Sequence, residues 1–188
     1  LDHLPDYLKG VVQMAHKTGW RRAEILNLTW EAVDFQAKEL RLRTSKNKEG
    51  RCIPLQGELW DVIERQWEAR EVKLKDRTLI SHWVFHNNGQ QIKSYYKAWH
   101  TACNKAGIPG KLPHDFRRTA ARNMTRAGVT ETVAMSITGH KTNSMFRRYN
   151  ITSQEDKKQA LLDTEEYVRG QPSEKRIYPL PTGTLPKK

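Results

Sequence analysis

A series of amphipathic segments, several of them closed by a glycine, constrains the fold of this sequence more than any other feature. Between Leu4 and Leu28 apolar residues recur at helical spacing, and the interruption at Thr18-Gly19 predicts two consecutive helices. The same periodicity predicts further helices at residues 55–70, 93–107, 113–128, 130–140 and 154–170. Glycine ends a helix readily because it adopts a left-handed backbone conformation without strain.

Two short stretches alternate apolar and polar residues, which is typical of β-strands. They are residues 39–45 and 51–55, and the polar sequence KNKEG between them predicts a β-hairpin. Residues 78–90 are predicted to be extended, with a turn at Asn88-Gly89. The predicted fold class is therefore α+β, mostly α with a small antiparallel β-sheet. We expect residues 171–188, which are rich in proline and lysine, to form a mobile tail.

The charge of the chain indicates the kind of partner. Lysine and arginine number 33 against 21 acidic residues, which gives a net charge of +12. An excess of this size favours a polyanionic partner, most often nucleic acid, over a protein that is simply basic and soluble. Two cysteines are too few for a disulfide framework and fit a reducing compartment. No apolar run approaches the length of a membrane span, so we expect no membrane partner.

Two histidines and two tryptophans are predicted to have structural roles. His82 and His86 are four residues apart, but along an extended segment that spacing spans about 13 Å, which argues against a shared metal ion. Trp20 and Trp30 are interpreted as core residues rather than as platforms for base stacking.

Positive side chains occur where a predicted helix begins. His114, Arg117 and Arg118 fall in or just before the first turn of the helix at 113–128. The helix macrodipole is already positive there, so the arrangement is unfavourable for cations and favourable for binding an anion. Arg21 also begins a predicted helix, and Glu24, one turn later, can hold its guanidinium in place.

Five motifs in this order resemble the catalytic domain of the tyrosine recombinases, also called the phage integrase family. They are T-G-x-R-x-x-E at Thr18–Glu24, the lysine of the hairpin at Lys46, H-x-x-R at His114–Arg117, G-H at Gly139-His140, and Tyr149 nine residues later. Three departures from the family pattern are Phe116 and Thr138 in place of leucine and the additional Ser45 before the lysine. The last departure leaves Lys48 as a rival to Lys46, which is preferred by alignment on Pro54-Leu55.

The resemblance extends from Leu4 to Asn150 and implies the tyrosine recombinase catalytic-domain fold. It implies a catalytic DNA breaking and rejoining domain at residues 1–170, followed by the tail at 171–188. Because the sequence begins with Leu1, we expect it to be a fragment. The core-binding domain of the family would then lie upstream.

The resemblance also assigns chemical roles. Tyr149 would attack the scissile phosphate and form a 3′-phosphotyrosyl bond, so that neither a metal nor another cofactor is expected. Arg21 and Arg117 would clamp the non-bridging oxygens, because two planar forks match a phosphate better than lysine does. Lys46 would protonate the leaving 5′ oxygen.

Three further residues support these groups in the implied mechanism. His114 would accept the proton of the tyrosine hydroxyl, and His140 would hydrogen-bond the phosphate. Glu24 would orient a neighbouring arginine or histidine. Four flanking arginines are interpreted as contacts to backbone phosphates, namely Arg22, Arg118, Arg147 and Arg148.

The implied function is that of a site-specific recombinase, most simply the integrase of a mobile element. Two other interpretations remain open: a chromosome-dimer resolvase or type IB topoisomerase-like enzyme, and a DNA-binding relative without catalysis. The expected partners are double-stranded DNA and other recombinase subunits, with the chain a monomer alone and a tetramer on DNA. The expected location is the cytoplasm of a bacterium, for a host-encoded or phage-encoded protein.

Overall fold

The computed structural model describes residues 1–42, 50–148 and 154–171. Its helices are α1 (Asp6–Thr18), α2 (Arg22–Leu26), α3 (Glu58–Glu68), α4 (Tyr96–Lys105), α5 (Asp115–Arg126), α6 (Glu131–Thr138), α7 (Asn143–Arg147) and α8 (Gln154–Gly170). Within these described segments, no helix is long and apolar enough to cross a membrane.

All β-strand pairs in the described residues are antiparallel, and they form three small sheets. The strands are β1 (Val33–Asp34), β2 (Glu39–Leu42), β3 (Arg51–Pro54), β4 (Glu71–Lys73), β5 (Thr78–Ile80), β6 (His86–Asn87) and β7 (Gln90–Gln91). The first sheet has the order β1-β2-β3, and the others are the pairs β4-β5 and β6-β7. In the first sheet Leu40 lies opposite Ile53, and Leu42 lies opposite Arg51.

The predicted fold class, mostly α with small antiparallel sheets, is confirmed. The structure adds β1, β4 and α7, which are too short to leave a periodic signal in the sequence. The predicted hairpin is present as β2 and β3, while its connecting residues 43–49 lie outside the described residues. Thr130 is the N-cap residue of α6, but its side chain makes no capping hydrogen bond.

The main core surrounds α1. Leu8, Val11 and Met14 on this helix are fully buried, and α1 packs against both α3 and α5. The two tryptophans predicted to be structural belong to this core: Trp20 is buried within it and Trp30 packs against its edge. Since α5 carries His114 and Arg117 near its start, the packing of α1 on α5 fixes those residues relative to the end of α1.

His86 stabilises the turn that joins β6 to β7. Its Nδ1 accepts a hydrogen bond from the Gly89 N–H at 3.1 Å, and its Nε2 lies 3.1 Å from the Ala69 carbonyl, to which it donates. Asn88 and Gly89 have φ angles of 49° and 79°, which a two-residue hairpin turn requires. Burial lowers the pKa of His86, and both of its ring nitrogens are committed to main-chain groups.

Residues 1–151 form one compact unit, and residues 152–188 form a second unit, of which α8 is the larger described part. The helix predicted at 154–170 is present with these bounds. Within α8, Gln159 donates to Asp163 and Arg169 donates to Glu165, both at the i, i+4 spacing that stabilises a helix surface.

Trp20 joins the end of α1 to the end of α6, since its indole N–H donates to the Ile137 carbonyl at 2.7 Å. We predict that Trp20→Phe lowers the free energy of unfolding by about 2 kcal/mol, because phenylalanine leaves this partly buried carbonyl without its best donor. Trp67→Phe is the control, because Trp67 is 37% exposed and its ring contacts survive the change. Urea titration of both variants measures the difference, and equal losses would contradict the assignment.

Candidate active site

The site lies between two helix ends that have the same sequence and backbone conformation. Both α1 and α6 end in a Thr-Gly pair, Thr18-Gly19 and Thr138-Gly139, with glycine φ angles of 65° and 71°. Each glycine N–H donates to the carbonyl four residues earlier, at 2.9 and 2.7 Å. Each left-handed glycine turns the chain sharply. Predicted site residues therefore follow directly after both helix ends, Arg21 after the first and His140 after the second.

Arg117 on α5 joins the two helix ends. Its side chain is buried, and its Nη1 donates to the Gly19 carbonyl at 2.8 Å and to the Thr138 carbonyl. The carboxyl end of a helix carries a partial negative charge, so two such ends offset part of the cost of burying a guanidinium. Gly19 is packed closely against α5, since a Cβ at this position would lie 3.0 Å from the Ala120 Cβ.

The start of α5 carries the residues of the H-x-x-R motif. His114 is the exposed N-cap residue, and Arg117 follows within the first turn. The Asp115 carboxylate accepts a hydrogen bond from the Leu112 N–H at 2.9 Å, which fixes the chain as it enters the helix. The helix start therefore holds one buried cation and one exposed imidazole beside each other.

Glu24 is the anion that holds Arg21. Its Oε2 accepts from the Arg21 main-chain N–H at 2.7 Å, and its Oε1 lies 3.2 Å from Arg21 Nη1. Burial raises the pKa of Glu24, but the hydrogen bond from the Arg21 main chain and the charge of Arg51 outweigh this effect. The net result is a lowered pKa, so Glu24 is ionised at neutral pH.

Arg51 belongs to the same cluster, although the sequence motifs do not include it. Its Nη2 lies 2.5 Å from Glu24 Oε1, and its Nη1 lies 3.4 Å from the Ile137 carbonyl. One signal in the sequence could have identified it. Arg51 is two residues before the buried Ile53 on β3, and alternate residues of a strand share a face, so a charge at position 51 requires a partner.

Among the described residues, His140 is the site group whose pKa shifts furthest. Burial, followed by the positive charges of Arg117, Arg21, His114 and Arg51, lowers the pKa of His140 to about 4. The imidazole is therefore neutral at pH 7. These charges act on it because all four groups lie near it.

The hydrogen bonds of Thr138 define which nitrogen of His140 carries the proton. The Thr138 hydroxyl donates to the Ala134 carbonyl at 2.8 Å, and its oxygen lies 2.7 Å from His140 Nδ1. A hydroxyl has one hydrogen, and a carbonyl can only accept, so the threonine oxygen must accept from His140 Nδ1–H. The neutral imidazole therefore carries its lone pair on Nε2.

The flanking arginines lie on the surface. Arg22, Arg118, Arg147 and Arg148 are all exposed. Arg147 is also within 3.4 Å of Glu131 on α6, which ties α7 to the helix that precedes His140. Lys46, its rival Lys48, and Tyr149 lie outside the described residues.

The described side chains have the chemistry of an oxyanion site. Within residues 1–42, 50–148 and 154–171, no group of three or more histidine, cysteine or acidic side chains could hold a metal ion. Guanidinium groups from α5, β3 and the start of α2 surround a neutral imidazole. Such a cluster can bind a phosphate through several charge-assisted hydrogen bonds.

The lowered pKa of His140 predicts a specific pH dependence of stability. In the unfolded chain His140 is protonated below about pH 6.5, whereas in the folded chain it is protonated only below about pH 4. The free energy of unfolding therefore falls as the pH falls between these values. We expect this group to remove about 2 kcal/mol of folding free energy between pH 7 and pH 5. His140→Asn keeps a donor near Thr138 and cannot titrate, so its stability should fall by correspondingly less.

Urea titrations of both proteins at pH 7, 6 and 5 measure this difference. At pH 7 the difference in the free energy of unfolding between the parent and His140→Asn reports the packing lost in the variant. This difference is subtracted from the differences at pH 6 and pH 5. Parallel curves for the two proteins would show that His140 does not titrate in this window.

Comparison with known proteins places this arrangement in a family. The model of the phage integrase family matches residues 2–156 of the chain. The integrase of Salmonella phage P22 is 28% identical over 165 residues, which cover 79% of this chain and 40% of that protein. The tyrosine recombinase XerA of Pyrococcus furiosus is 26% identical over 157 residues, covering 80% of this chain and 52% of that protein.

A solved structure shares the fold. The Tn1549 transposon integrase, in complex with circular intermediate DNA, superposes with a TM-score of 0.65 at 21% identity and covers 83% of this chain and 57% of that one. Most of these relatives are about twice as long as the region they share with this chain. Because the family model covers most of its length, the chain belongs to the phage integrase family.

Proposed function

We propose that this chain is the catalytic part of a site-specific DNA recombinase that cleaves and rejoins strands through a 3′-phosphotyrosyl intermediate. One observation carries the proposal. Arg21 and His140 are 119 residues apart in the sequence, and Arg117 joins the helix ends that precede them by donating to the Gly19 and Thr138 carbonyls. The chain that holds this arrangement is a member of the phage integrase family. Neither a metal nor another cofactor takes part.

The reaction begins with attack by the Tyr149 hydroxyl oxygen on the scissile phosphorus. The bond from phosphorus to the 5′ oxygen breaks, and the strand remains attached to the protein through its 3′ phosphate. The phosphotyrosyl ester conserves the energy of the phosphodiester. Attack by a 5′ hydroxyl of another strand then releases the tyrosine and completes the exchange without ATP.

Arg21 and Arg117 stabilise the transition state. Negative charge builds on the two non-bridging oxygens as phosphorus becomes five-coordinate, and each guanidinium donates to this charge. One such preorganised donor is worth roughly 3 kcal/mol. The buried guanidinium of Arg117 is fixed by two carbonyls, whereas Arg21 is exposed and held by Glu24 on one side.

His140 joins them by taking up a proton. Before DNA binds, its Nε2 carries a lone pair, which the phosphate oxygens would repel. Burial and the nearby arginine charges together lower the pKa of His140 to about 4. A docked phosphate offsets the arginine charges and raises this pKa, so the imidazole gains a proton at Nε2 and donates it to an oxygen. Nδ1–H stays on Thr138 and keeps the ring in place.

Two groups move the remaining protons. His114 accepts the proton of the Tyr149 hydroxyl and returns it during rejoining. Lys46 protonates the leaving 5′ oxygen, which would otherwise depart as an alkoxide. His114 is exposed at the start of α5, where an incoming strand can reach it.

The biological role follows from the relatives. The similar proteins include a phage integrase and a transposon integrase solved on circular intermediate DNA, which favours integration or excision of a mobile element. The chromosome-dimer resolvase alternative stays open, because the similar protein of Pyrococcus furiosus is named as a tyrosine recombinase without reference to a mobile element. The partners proposed are double-stranded DNA and further recombinase subunits, in the cytoplasm of a bacterial host. Residues 1–170 supply the catalytic domain.

Substitution of the bridging oxygen separates the roles of Tyr149 and Lys46. We predict that Tyr149→Phe forms no covalent adduct on any substrate, because the attacking oxygen is gone. Lys46→Ala should cleave ordinary DNA about 10²–10⁴-fold more slowly. It should recover on a strand with sulfur at the bridging 5′ position, because a thiol of pKa near ~8.5 leaves without a proton. Denaturing gels of adducts on nicked duplexes measure both effects.

Lys48→Ala is the matched control and should resemble the parent on both substrates. A defect with sulfur rescue in Lys48→Ala, but not in Lys46→Ala, would move the acid to Lys48. If neither variant is rescued, the hairpin lysine only positions the phosphate. An adduct with Tyr149→Phe, or no adduct with the parent on any nicked duplex, would refute the proposed chemistry.

The net charge of +12 predicts the thermodynamics of DNA binding. We expect nonspecific dissociation constants of about 10⁻⁶ M or weaker at physiological salt, with affinity falling steeply as salt rises. Arg118→Gln should reduce the slope of log affinity against log salt by about 1, whatever the DNA sequence. Arg70→Gln is the control, because the Arg70 guanidinium stacks on Trp67 and donates to its carbonyl. Nanomolar binding that is insensitive to salt would contradict this prediction.

A further inference from the structure

Arg51 makes three contacts that meet at the centre of the site. Its guanidinium binds Glu24 Oε1 at 2.5 Å, reaches the Ile137 carbonyl at 3.4 Å, and lies 5.3 Å from the centre of the Trp20 ring. Its side chain is only 14% exposed, and that of Glu24 is 19% exposed. One residue on β3 thus connects α2, the end of α6 and the segment after α1.

Glu24 is shared unequally between two arginines. Its Oε2 is occupied by the Arg21 main chain, and its Oε1 serves both Arg51 at 2.5 Å and Arg21 Nη1 at 3.2 Å. Because Arg51 has the shorter bond, Arg21 is held by one longer bond and its exposed fork is not closed onto the carboxylate. Arg21 therefore keeps its capacity to bind another anion.

The absence of a side chain at Gly139 leaves room for the guanidinium of Arg51. A Cβ at Gly139 would overlap with the Nη1 and Cζ atoms of Arg51, and the φ of 71° at this position also disfavours any other residue. Arg51 therefore lies directly against the backbone that carries His140. A change in the position of Arg51 moves either Glu24 or this turn.

We infer that Arg51 is a positioning residue that holds Glu24 and the Ile137–His140 turn in place, so that Arg21 and His140 face the phosphate together. The inference rests on the proposed function for its catalytic consequence. Arg51 does not itself touch the reacting atoms. It acts through the carboxylate that it shares with Arg21 and through the turn that it supports.

The physical consequence of removing Arg51 is a competition at Arg21. Without Arg51, the Glu24 carboxylate loses its closest cationic partner. The guanidinium and the main-chain N–H of Arg21 are then its remaining contacts among those described above. Arg21 then pairs with Glu24 more closely, and the carboxylate competes with the DNA phosphate for its fork. The Ile137–His140 turn also loses its support, and displacement of a reacting group by about 1 Å can cost 10²-fold in rate.

The first test compares single-turnover cleavage by Arg51→Met, Arg51→Lys and the control Arg41→Met. Arg41 lies on the neighbouring strand β2 and pairs with Glu39 and Asp34, so its loss removes ion pairs without touching Glu24. We expect Arg51→Met to cleave saturating DNA roughly 10- to 100-fold more slowly, with its dissociation constant for DNA changed less than about threefold. Arg51→Lys, which keeps the charge, should recover part of the rate, and Arg41→Met should match the parent.

Adding Glu24→Gln tests the competition itself. In the Arg51→Met background this change removes the anion that captures Arg21, so it should restore part of the rate rather than lower it further. A merely structural role would appear as a lowered melting temperature with a rate like that of the parent, and this result would overturn the inference. A further loss on adding Glu24→Gln would overturn the competition.

Gly139→Ala provides a second, independent variant. In the parent it should slow cleavage as Arg51→Ala does, because the new methyl group displaces the guanidinium. In the Arg51→Ala background the space is open and only the backbone strain at a φ of 71° remains, so Gly139→Ala should slow cleavage by a smaller factor than it does in the parent. Equal costs in the two backgrounds would show that the contact between Gly139 and Arg51 has no role in catalysis.

Titration with inorganic phosphate separates this inference from the proposed function. The imidazole resonances of His140 in the DNA-free chain should shift with phosphate, and Arg51→Met should need several-fold more phosphate for the same shift. If this holds while the parent forms no phosphotyrosyl adduct, the proposed function fails and the positioning role stands. If the parent forms the adduct and Arg51→Met is within twofold of it in both assays, the positioning role fails alone.

Discussion

The buried guanidinium of Arg117 is the constraint on which the rest of the site depends. Burying a cation is expensive, and here two main-chain carbonyls at the ends of α1 and α6 receive it. Both helices must therefore stop at the same place in space, which explains why each ends in threonine and a left-handed glycine. The hydrogen bonds from Arg117 to these carbonyls stabilise the fold. They also hold the residues that follow the two glycines, Arg21 and His140, close to Arg117.

This arrangement concentrates positive charge that the folded chain itself only partly neutralises. Glu24 is ionised, but its two oxygens are divided between Arg21 and Arg51. His140 remains neutral, because burial and then the nearby positive charges lower its pKa to about 4. A phosphate entering such a site replaces repulsion among cations by attraction to each of them. If the site binds phosphate as proposed, part of the binding energy would come from relieving this repulsion among the cations.

The sequence predicted most of the helices because their apolar periodicity reflects burial on α1, α3 and α5. The motifs proposed candidate site residues from their spacing along the chain, and the fold brings four of these candidates, Arg21, His114, Arg117 and His140, near one another. The motifs missed Arg51. The alternation of β3 places it on the same face as the buried Ile53, but its partners, a carboxylate 27 residues away and the backbone of Gly139, are set by the fold alone. Elements of two to five residues, such as β1, β4 and α7, were also missed, because tertiary packing rather than local pattern specifies them.

Thr138 illustrates how a departure from a family motif can carry chemical information. Leucine at this position could not accept a hydrogen bond, whereas the threonine oxygen accepts from His140 Nδ1–H because its own hydrogen is committed to Ala134. The proton on Nδ1 is thereby fixed, and any hydrogen bond from Nε2 to a phosphate requires a second proton. Under the proposed mechanism, the charge of His140 would therefore follow the arrival of the phosphate. The neutral imidazole would add no repulsion to the arginines before the phosphate docks and a full positive charge afterwards.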